Sequence, residues 1–216
     1  MKRIIQYSIF LVFLFIAVKP IMAAGNFYLG LHGGLAIPDE AKAKDSEGSY
    51  NIDYDLGFDG GITLGYNLGD RYPKIGRGRV ELELNYAEND LDEADFLEGK
   101  VRADGSVKRT GIMVNSIGEH RMSSGVIIYA LLGAGWAKIE LDNATIVDQP
   151  LADDDDSQLA FQVGAGIGWQ LNSRITYDIG YRYLGTVDPD FSTGDGKSLD
   201  YEYGCHRILA GIRFNF

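Results

Sequence analysis

The chain has 216 residues and a formal net charge of -11, from 31 acidic and 20 basic residues. So acidic a protein lacks the basic face that phosphates require, which argues against nucleic acid as a partner. Its single cysteine, Cys205, allows no intramolecular disulfide, and its 28 glycines and 13 tyrosines argue against a helical fold.

The amino-terminal segment has the order of a secretory signal peptide. Two basic residues precede an apolar run from Ile4 to Val18, and small residues follow it. The run is shorter than the ~20 residues that a membrane-spanning helix needs. We therefore predict a signal peptide over residues 1–24, cleaved after Ala23 or Ala24, and a mature domain over residues 25–216.

The mature chain alternates with a period of two from end to end, which predicts strands. Large apolar side chains fall on one face of each strand, and glycine or polar residues fall on the other. The sixth strand shows this alternation best, and the fourth is the least regular. In chain order, the predicted strands are residues 26–37, 56–68, 79–87, 107–117, 126–139, 158–171, 175–184 and 203–216.

The connections between these strands alternate in length. The connections after the second, fourth and sixth strands are short, whereas those after the first, third, fifth and seventh are long and acidic. Short periplasmic turns that alternate with long external loops are typical of transmembrane β-barrels. One long connection contains the run Asp153–Asp156, which could attract divalent cations loosely, although a solvated loop tip is the simpler interpretation.

Alternation alone does not decide which face meets lipid, because a soluble barrel would bury its apolar face. Two features favour a membrane barrel. The non-apolar face is rich in glycine, which would weaken a strand exposed to water. Aromatic residues also gather near the strand ends, where the aromatic girdles of membrane barrels lie.

In a closed eight-stranded barrel the polar face lines a narrow lumen. A buried charge without a partner is very costly. We therefore hypothesise that Arg182, Arg207 and Arg213 pair with Glu81, Glu83 and Asp178 inside the barrel. The predicted lumen charge network consists of Asp59, Glu81, Glu83, Asp178, Arg182, Arg207 and Arg213.

Several segments resemble the small outer-membrane β-barrel family of the opacity-protein and OmpA-transmembrane-domain type. They are Leu159–Leu171, Tyr181–Gly185 and the terminal Ile212–Phe216, with Val80–Tyr86 and Tyr129–Trp136 in support. The resemblance implies an all-β, eight-stranded antiparallel up-and-down transmembrane β-barrel in the cell outer membrane. It also implies that Phe216 belongs to the signal that the barrel-insertion machinery reads.

The predicted role is structural or surface-interactive, through acidic extracellular loops. The expected partners are outer-membrane lipids, lipopolysaccharide, the insertion machinery and a host or surface ligand at the loops, and the protein is expected to be a monomer. One alternative is a narrow porin for small solutes, in which the lumen charges line a water path.

A lipid A-modifying enzyme is a further alternative. Lipid A deacylases of the outer membrane, which also have eight strands, carry a histidine two residues before a serine with an acid nearby, and the chain does not resemble them at any of His32, His120 and His206. The histidines also lack metal-ligand spacing. We therefore expect no catalytic residue, no metal site and no cofactor.

Overall fold

The computed structural model describes residues 26–39, 41–44, 49–69, 77–96, 99–146, 149–187, 190–192, 198–201 and 203–216. The predicted signal peptide over residues 1–24 lies outside them. No helix within the described ranges is long and apolar enough to span a membrane. The strands of these ranges are β1 (Phe27–Pro38), β2 (Ala41–Lys44), β3 (Ser49–Tyr54), β4 (Gly57–Gly69), β5 (Arg77–Phe96), β6 (Gly99–Arg121), β7 (Val126–Ile146), β8 (Gln149–Gln170), β9 (Ile175–Thr186), β10 (Asp190–Ser192), β11 (Ser198–Tyr201) and β12 (Gly204–Asn215).

Eight of these strands close into one antiparallel barrel. In order around the wall they are β1, β4, β5, β6, β7, β8, β9 and β12, so each strand lies beside its neighbours in the chain. The seam pairs β1 with β12, from Tyr28 opposite Asn215 to Pro38 opposite Cys205. The predicted all-β, eight-stranded up-and-down barrel is confirmed.

Four barrel strands continue well beyond their predicted ends. Strands β5 and β6 pair as far as Phe96 opposite Gly99, and β7 and β8 pair as far as Ile146 opposite Gln149. The acidic connections predicted over residues 88–105 and 140–156 are therefore mostly strand, and that part of the sequence prediction is wrong. Beyond the lipid, a strand is held by backbone hydrogen bonds to its neighbours and needs no apolar outer face. Its sequence therefore shows no hydrophobic alternation from which a strand could be predicted.

Bulges mark the height at which the two long hairpins leave the regular wall. The register shifts between Asp104 and Ser106 on β6, and between Leu141 and Ala144 on β7. Gly105 has φ 123° and Asn143 has φ 51°, both in the left-handed region. A Cβ at Gly105 would come within 2.8 Å of Ala144 Cα, so this close approach requires glycine.

The four short strands extend the wall on the side of the long hairpins. They form the ribbon β10–β11–β2–β3, and β3 pairs with the far end of β5, with Asn51 opposite Asp95. Strand β10 also contacts β8. Segments of the first and last long connections thus belong to a second, smaller sheet above the barrel.

The barrel exposes its apolar face and buries its polar one. On β5, Val80, Leu82, Leu84 and Tyr86 are each about two-fifths exposed, whereas the alternate side chains, Arg79 through Asn85, are at most 4 % exposed. Polar residues follow the apolar band toward the hairpins. This inverted arrangement suits a lipid environment, where a closed sheet satisfies every backbone group internally.

A charge on the lipid face should prevent stable insertion. Leu132 lies midway along the outward face of β7 and is 67 % exposed. We expect Leu132→Arg to destabilise the barrel in phosphatidylcholine vesicles by about 2–4 kcal/mol, because an arginine at the bilayer midplane costs that much. Urea titration of the folded, heat-modifiable form measures the change. Ser124→Arg, in the short turn after β6, is the control and should leave the midpoint unchanged; equal effects would contradict the lipid-facing assignment.

Candidate functional site in the barrel lumen

Glu83 of β5 lies at the centre of the lumen and receives donors from four other strands. Arg182 Nη1 lies 2.7 Å from Glu83 Oε2, and Arg207 Nη2 lies 3.1 Å from Oε1. Asn115 Nδ2 and Gln162 Nε2 donate to Oε2 at 2.6 and 3.0 Å. One carboxylate therefore holds β6, β8, β9 and β12 to β5 through charge-assisted hydrogen bonds.

A second carboxylate, Asp59, lies nearer the long hairpins. Arg207 donates two parallel hydrogen bonds to it, from Nε and Nη2, each 2.8 Å long. Arg109 binds the same carboxylate from β6. All three side chains are completely buried, so each charge depends on the others for compensation.

A third cluster lies near the short turns. Arg79 pairs with Glu81 at 3.1 Å and with Glu119. Arg213 pairs with Glu119 at 3.2 Å and with Asp178 at 3.1 Å. The Arg213–Glu119 contact links β12 to β6, on opposite sides of the barrel, so this pair spans the lumen rather than lining it.

The charges in the three clusters balance. Five arginines meet five carboxylates, so the formal charge of these ten is zero; the more exposed Arg121, 3.5 Å from Glu119, lies at their edge. The arginines are Arg79, Arg109, Arg182, Arg207 and Arg213, and the carboxylates are Asp59, Glu81, Glu83, Glu119 and Asp178. We call these ten side chains the lumen network.

The structure places all seven predicted lumen residues on the inward face, and it adds three that sequence reasoning missed. Glu81 pairs with Arg79 rather than with a predicted arginine. Arg79 lies two residues before Glu81 on the same predicted strand and so faces the same side, which means that its inward position could have been predicted. Arg109 falls on the least regular predicted strand, and Glu119 lies beyond its predicted end at residue 117.

Glycines make room for the large aromatic side chains among these charges. Gly166 and Gly180 face each other across β8 and β9, and a Cβ on either would meet the Tyr129 hydroxyl. A Cβ at Gly65 would meet Tyr28, whose hydroxyl donates to Glu81 at 2.5 Å. The inward glycines thus compensate for the bulk of the aromatic residues.

An apolar layer closes the lumen on the side of the long hairpins. Most of its members lie beyond the charges on the same strands, as Val107 does relative to Arg109 and Cys205 relative to Arg207, whereas Met113 lies level with Glu83, its register partner. The larger ones are Leu91, Val107, Met113, Ile139, Leu141, Leu184 and Tyr203, all at most 6 % exposed. Below this layer the network leaves a cavity of about 10 Å³, beside His32 and Arg182. That volume is about what one water molecule needs.

The turn end of the lumen is more open. A polar depression of about 330 Å³ is bordered by Arg121, Gln170 and Asn215, with Phe216 at its rim. The Phe216 amide donates to the Phe27 carbonyl at 3.1 Å, which fixes the end of the chain against β1. No group of three or more potential metal ligands occurs within the described residues.

A polar cluster on the outer wall was also missed from the sequence. His206 Nε2 lies 2.9 Å from Asp39 Oδ1, and the Tyr181 hydroxyl lies 2.6 Å from His206 Nδ1. Tyr183 donates to the same carboxylate at 3.1 Å. His206 faces away from the buried Cys205, and the cluster ties the start of the first long connection to β9 and β12.

Comparison with known proteins agrees with this architecture. A family model described as "Outer membrane protein beta-barrel domain" matches residues 8–214. The chain is 24 % identical over 199 residues to a 22 kDa outer membrane protein of Rhizobium leguminosarum bv. viciae, covering 91 % of this chain and 81 % of that protein.

Two solved structures share the fold. The outer membrane protein OprG from Pseudomonas aeruginosa superposes with a TM-score of 0.57 at 17 % identity, over 89 % of this chain and 97 % of that one. Neisserial surface protein A superposes with a TM-score of 0.51 at 19 % identity, over 88 % of this chain and 97 % of that one.

Removing one arginine from the lumen network should destabilise the barrel, and the loss should increase with the number of carboxylates that this arginine contacts. Arg207→Met removes a cation from both Asp59 and Glu83, which then keep only Arg109 and Arg182, so we expect a loss of about 3–5 kcal/mol in unfolding free energy. Arg182→Leu should cost less, because Glu83 keeps Arg207, yet it should still lower the thermal midpoint.

The matched control for these variants is Lys138→Met on the outer surface, which should leave stability near that of the wild type, because exposed pairs contribute little. The measurement is urea and thermal unfolding in detergent micelles. Equal midpoints for Arg207→Met and Lys138→Met would contradict a stabilising network.

Proposed function

Because the chain belongs to the family of outer membrane proteins with a β-barrel domain, and so lies in the outer membrane, we propose that its role there is structural and surface-interactive. The lumen acts as the protein's core, and the long hairpins present an acidic surface outside the cell. The observation that carries this proposal is the filled lumen.

The filled lumen disfavours the narrow-porin alternative. Arginines cross the barrel at three heights, at Asp59, at Glu83 and at Glu119, and the apolar layer lies above them. An ion entering this space would have to displace paired charges and then cross an apolar section without water. Both steps are costly in a low-dielectric interior.

The acidic hairpins supply the interactive part of the proposal. The β7–β8 hairpin carries Asp142, Asp148 and the run Asp153–Asp156. Among the described side chains, Lys108 pairs with Asp142, and Lys138 pairs with Asp155. The surplus negative charge favours a basic partner, attracted over a Debye length of about 8 Å at physiological salt.

Catalysis has less support from the geometry. The lumen carboxylates are engaged by arginines, and His206 bonds to Tyr181 and Asp39 rather than to a serine. The proposal is therefore that the protein is not an enzyme. Phe216 ends the outward row Ile208, Ala210, Ile212 and Phe214, which supports its proposed role in recognition by the insertion machinery.

Conductance separates the proposed role from a pore. We expect the purified barrel to give no stable single-channel steps in a planar bilayer at high potassium chloride concentration, because the lumen network and the apolar layer block the axis. A sixteen-stranded general porin, prepared in the same detergent, is the positive control. Reproducible steps from the wild-type barrel would contradict the proposal and favour the narrow pore.

The acidic hairpin can be removed without disturbing the barrel. Leu141 and Asp154 are register partners, so an Asn-Gly turn that replaces residues 142–153 should leave the lower wall intact. We expect vesicles carrying this variant to bind a polylysine layer at least threefold less than wild-type vesicles, and salt near 0.5 M to abolish the difference by screening.

A full-length variant with Asp142, Asp148 and Asp153 changed to Asn, the three acids that the shortened variant lacks, is the matched control for hairpin shape. Binding as weak as that of the shortened variant would assign the interaction to charge. Unchanged polylysine binding by both variants would contradict the proposed role of this hairpin.

A further inference from the structure

A groove of about 300 Å³ opens on the lipid-facing wall between β7, β8 and the end of β9. Its rim consists of Trp136, Leu159, Phe161 and Val187, each between 51 and 60 % exposed, with Ala134 between them. We call it the Trp136 groove. Every one of these side chains is apolar, so the groove suits a hydrocarbon ligand.

The groove follows from the sequence of the strands that border it. Ala134 opposes Phe161, and Trp136 opposes Leu159. The Phe161 ring leans over Gly185 on β9, where a Cβ would come within 2.6 Å of it, so the ring turns away from Ala134. A small residue between large neighbours thus leaves a depression, and the glycine keeps it open.

The far wall is held in place by the backbone. The Val187 amide donates to the Leu159 carbonyl at 2.9 Å, beyond the last paired residue of β9. This hydrogen bond holds Val187 against β8, with its side chain beside Leu159. The groove is therefore a formed feature of the barrel wall.

Charged residues border the groove on the side of the long hairpins. Lys138 is the next outward residue after Trp136 on β7, and its ammonium lies 3.3 Å from Glu140 and 3.2 Å from Asp155. All three side chains are about half exposed. An apolar slot thus ends directly beneath one cation and two carboxylates.

We propose that the Trp136 groove binds one acyl chain of a phosphorylated glycolipid of the lipid A type, whose phosphate contacts Lys138. Divalent cations between the phosphate and the carboxylates of Glu140 and Asp155 complete the site, because carboxylate and phosphate oxygens are the ligands such ions prefer. The inference rests on the outer-membrane location and not on the proposed surface role.

Position and chemistry select this occupant. The groove lies toward the long hairpins, on the side away from the short turns, and so faces the outer leaflet, where the phosphorylated glycolipid resides. A second copy of the chain would need about 1,000 Å² of complementary surface, far more than four rim side chains provide. A phospholipid would fill the slot but would use the charged border less well.

The two tryptophans provide a direct test. Trp136 lies in the groove, and Trp169 is equally outward but near the short turns. Trp169→Phe leaves Trp136 as the only tryptophan, and Trp136→Phe leaves Trp169 as the matched control. Each variant is placed in vesicles of brominated phosphatidylcholine, whose acyl chains quench tryptophan fluorescence on contact. Deep-rough lipopolysaccharide with ordinary acyl chains and magnesium is then titrated in.

We expect lipopolysaccharide to relieve the quenching of Trp136 at a lipid ratio at least fivefold lower than it does for Trp169. Ala134→Phe, which fills the slot, should abolish this preference, and Lys138→Gln should reduce it at least twofold. The heat-modifiable band of the folded form on a gel shows whether each variant has folded. If Ala134→Phe does not fold, Lys138→Gln alone provides the test.

Equal relief at both tryptophans would overturn the proposal, because it would show ordinary exchange with bulk lipid. Equal relief of Trp136 by phosphatidylglycerol and lipopolysaccharide would overturn the glycolipid assignment. Neither outcome bears on conductance or polylysine binding, so failure here is distinguishable from failure of the proposed function.

Discussion

Mutual neutralisation of ten charged side chains inside the barrel is the constraint on which the rest of the structure depends. Lipid surrounds the wall, so the apolar side chains that would form the core of a soluble protein are turned outward. The interior must then be filled by polar groups, and these are tolerated only if their charges cancel and their hydrogen bonds are made. Glu83 shows this most clearly, because it receives two arginines and two amides from four strands.

The lumen is layered, and each layer supports the next. The cluster near the short turns joins opposite walls through Glu119, the central layer converges on Glu83, and the layer nearest the hairpins closes around Asp59. Above them the lining becomes apolar, at the height where the strands leave the lipid and the wall continues as hairpins. The same tube is thus mainly polar inside where lipid surrounds it, apart from a small buried cluster of Ile117, Tyr129 and Leu131, and apolar inside where its surroundings are aqueous.

What could be predicted from the sequence follows from the same physics. Wherever lipid meets the wall, outward side chains must be apolar at every second position, and all eight barrel strands were predicted from that pattern. The upper halves of β5 to β8 were predicted as loops because no lipid imposes the pattern there. The inward charges on regular strands, such as Glu81 and Arg182, were identified by parity. Arg109 was missed because polar Lys108 and Thr110 on the outward face and apolar Met113 on the inward face blur the alternation of β6 around it.

Contacts between distant strands were the least predictable part. The cluster of Asp39, His206 and Tyr181 depends on the register between β1, β12 and β9, which spacing along the chain does not encode. The pairing of Glu119 on β6 with Arg213 on β12 depends in the same way on the reach of side chains across a narrow lumen. Alternation along a strand indicates which side chains enter the lumen. Which of them pair with one another depends on distances across the closed barrel.

The seam between β1 and β12 has a consequence for biosynthesis. The first barrel strand to be synthesised, β1, completes its pairing only with the last one, β12. An incomplete chain therefore always has two unpaired sheet edges. Until then both margins of the sheet carry unpaired backbone groups, and lipid offers nothing to satisfy them. The polypeptide must therefore be completed, and kept from premature collapse, before it can enter the bilayer.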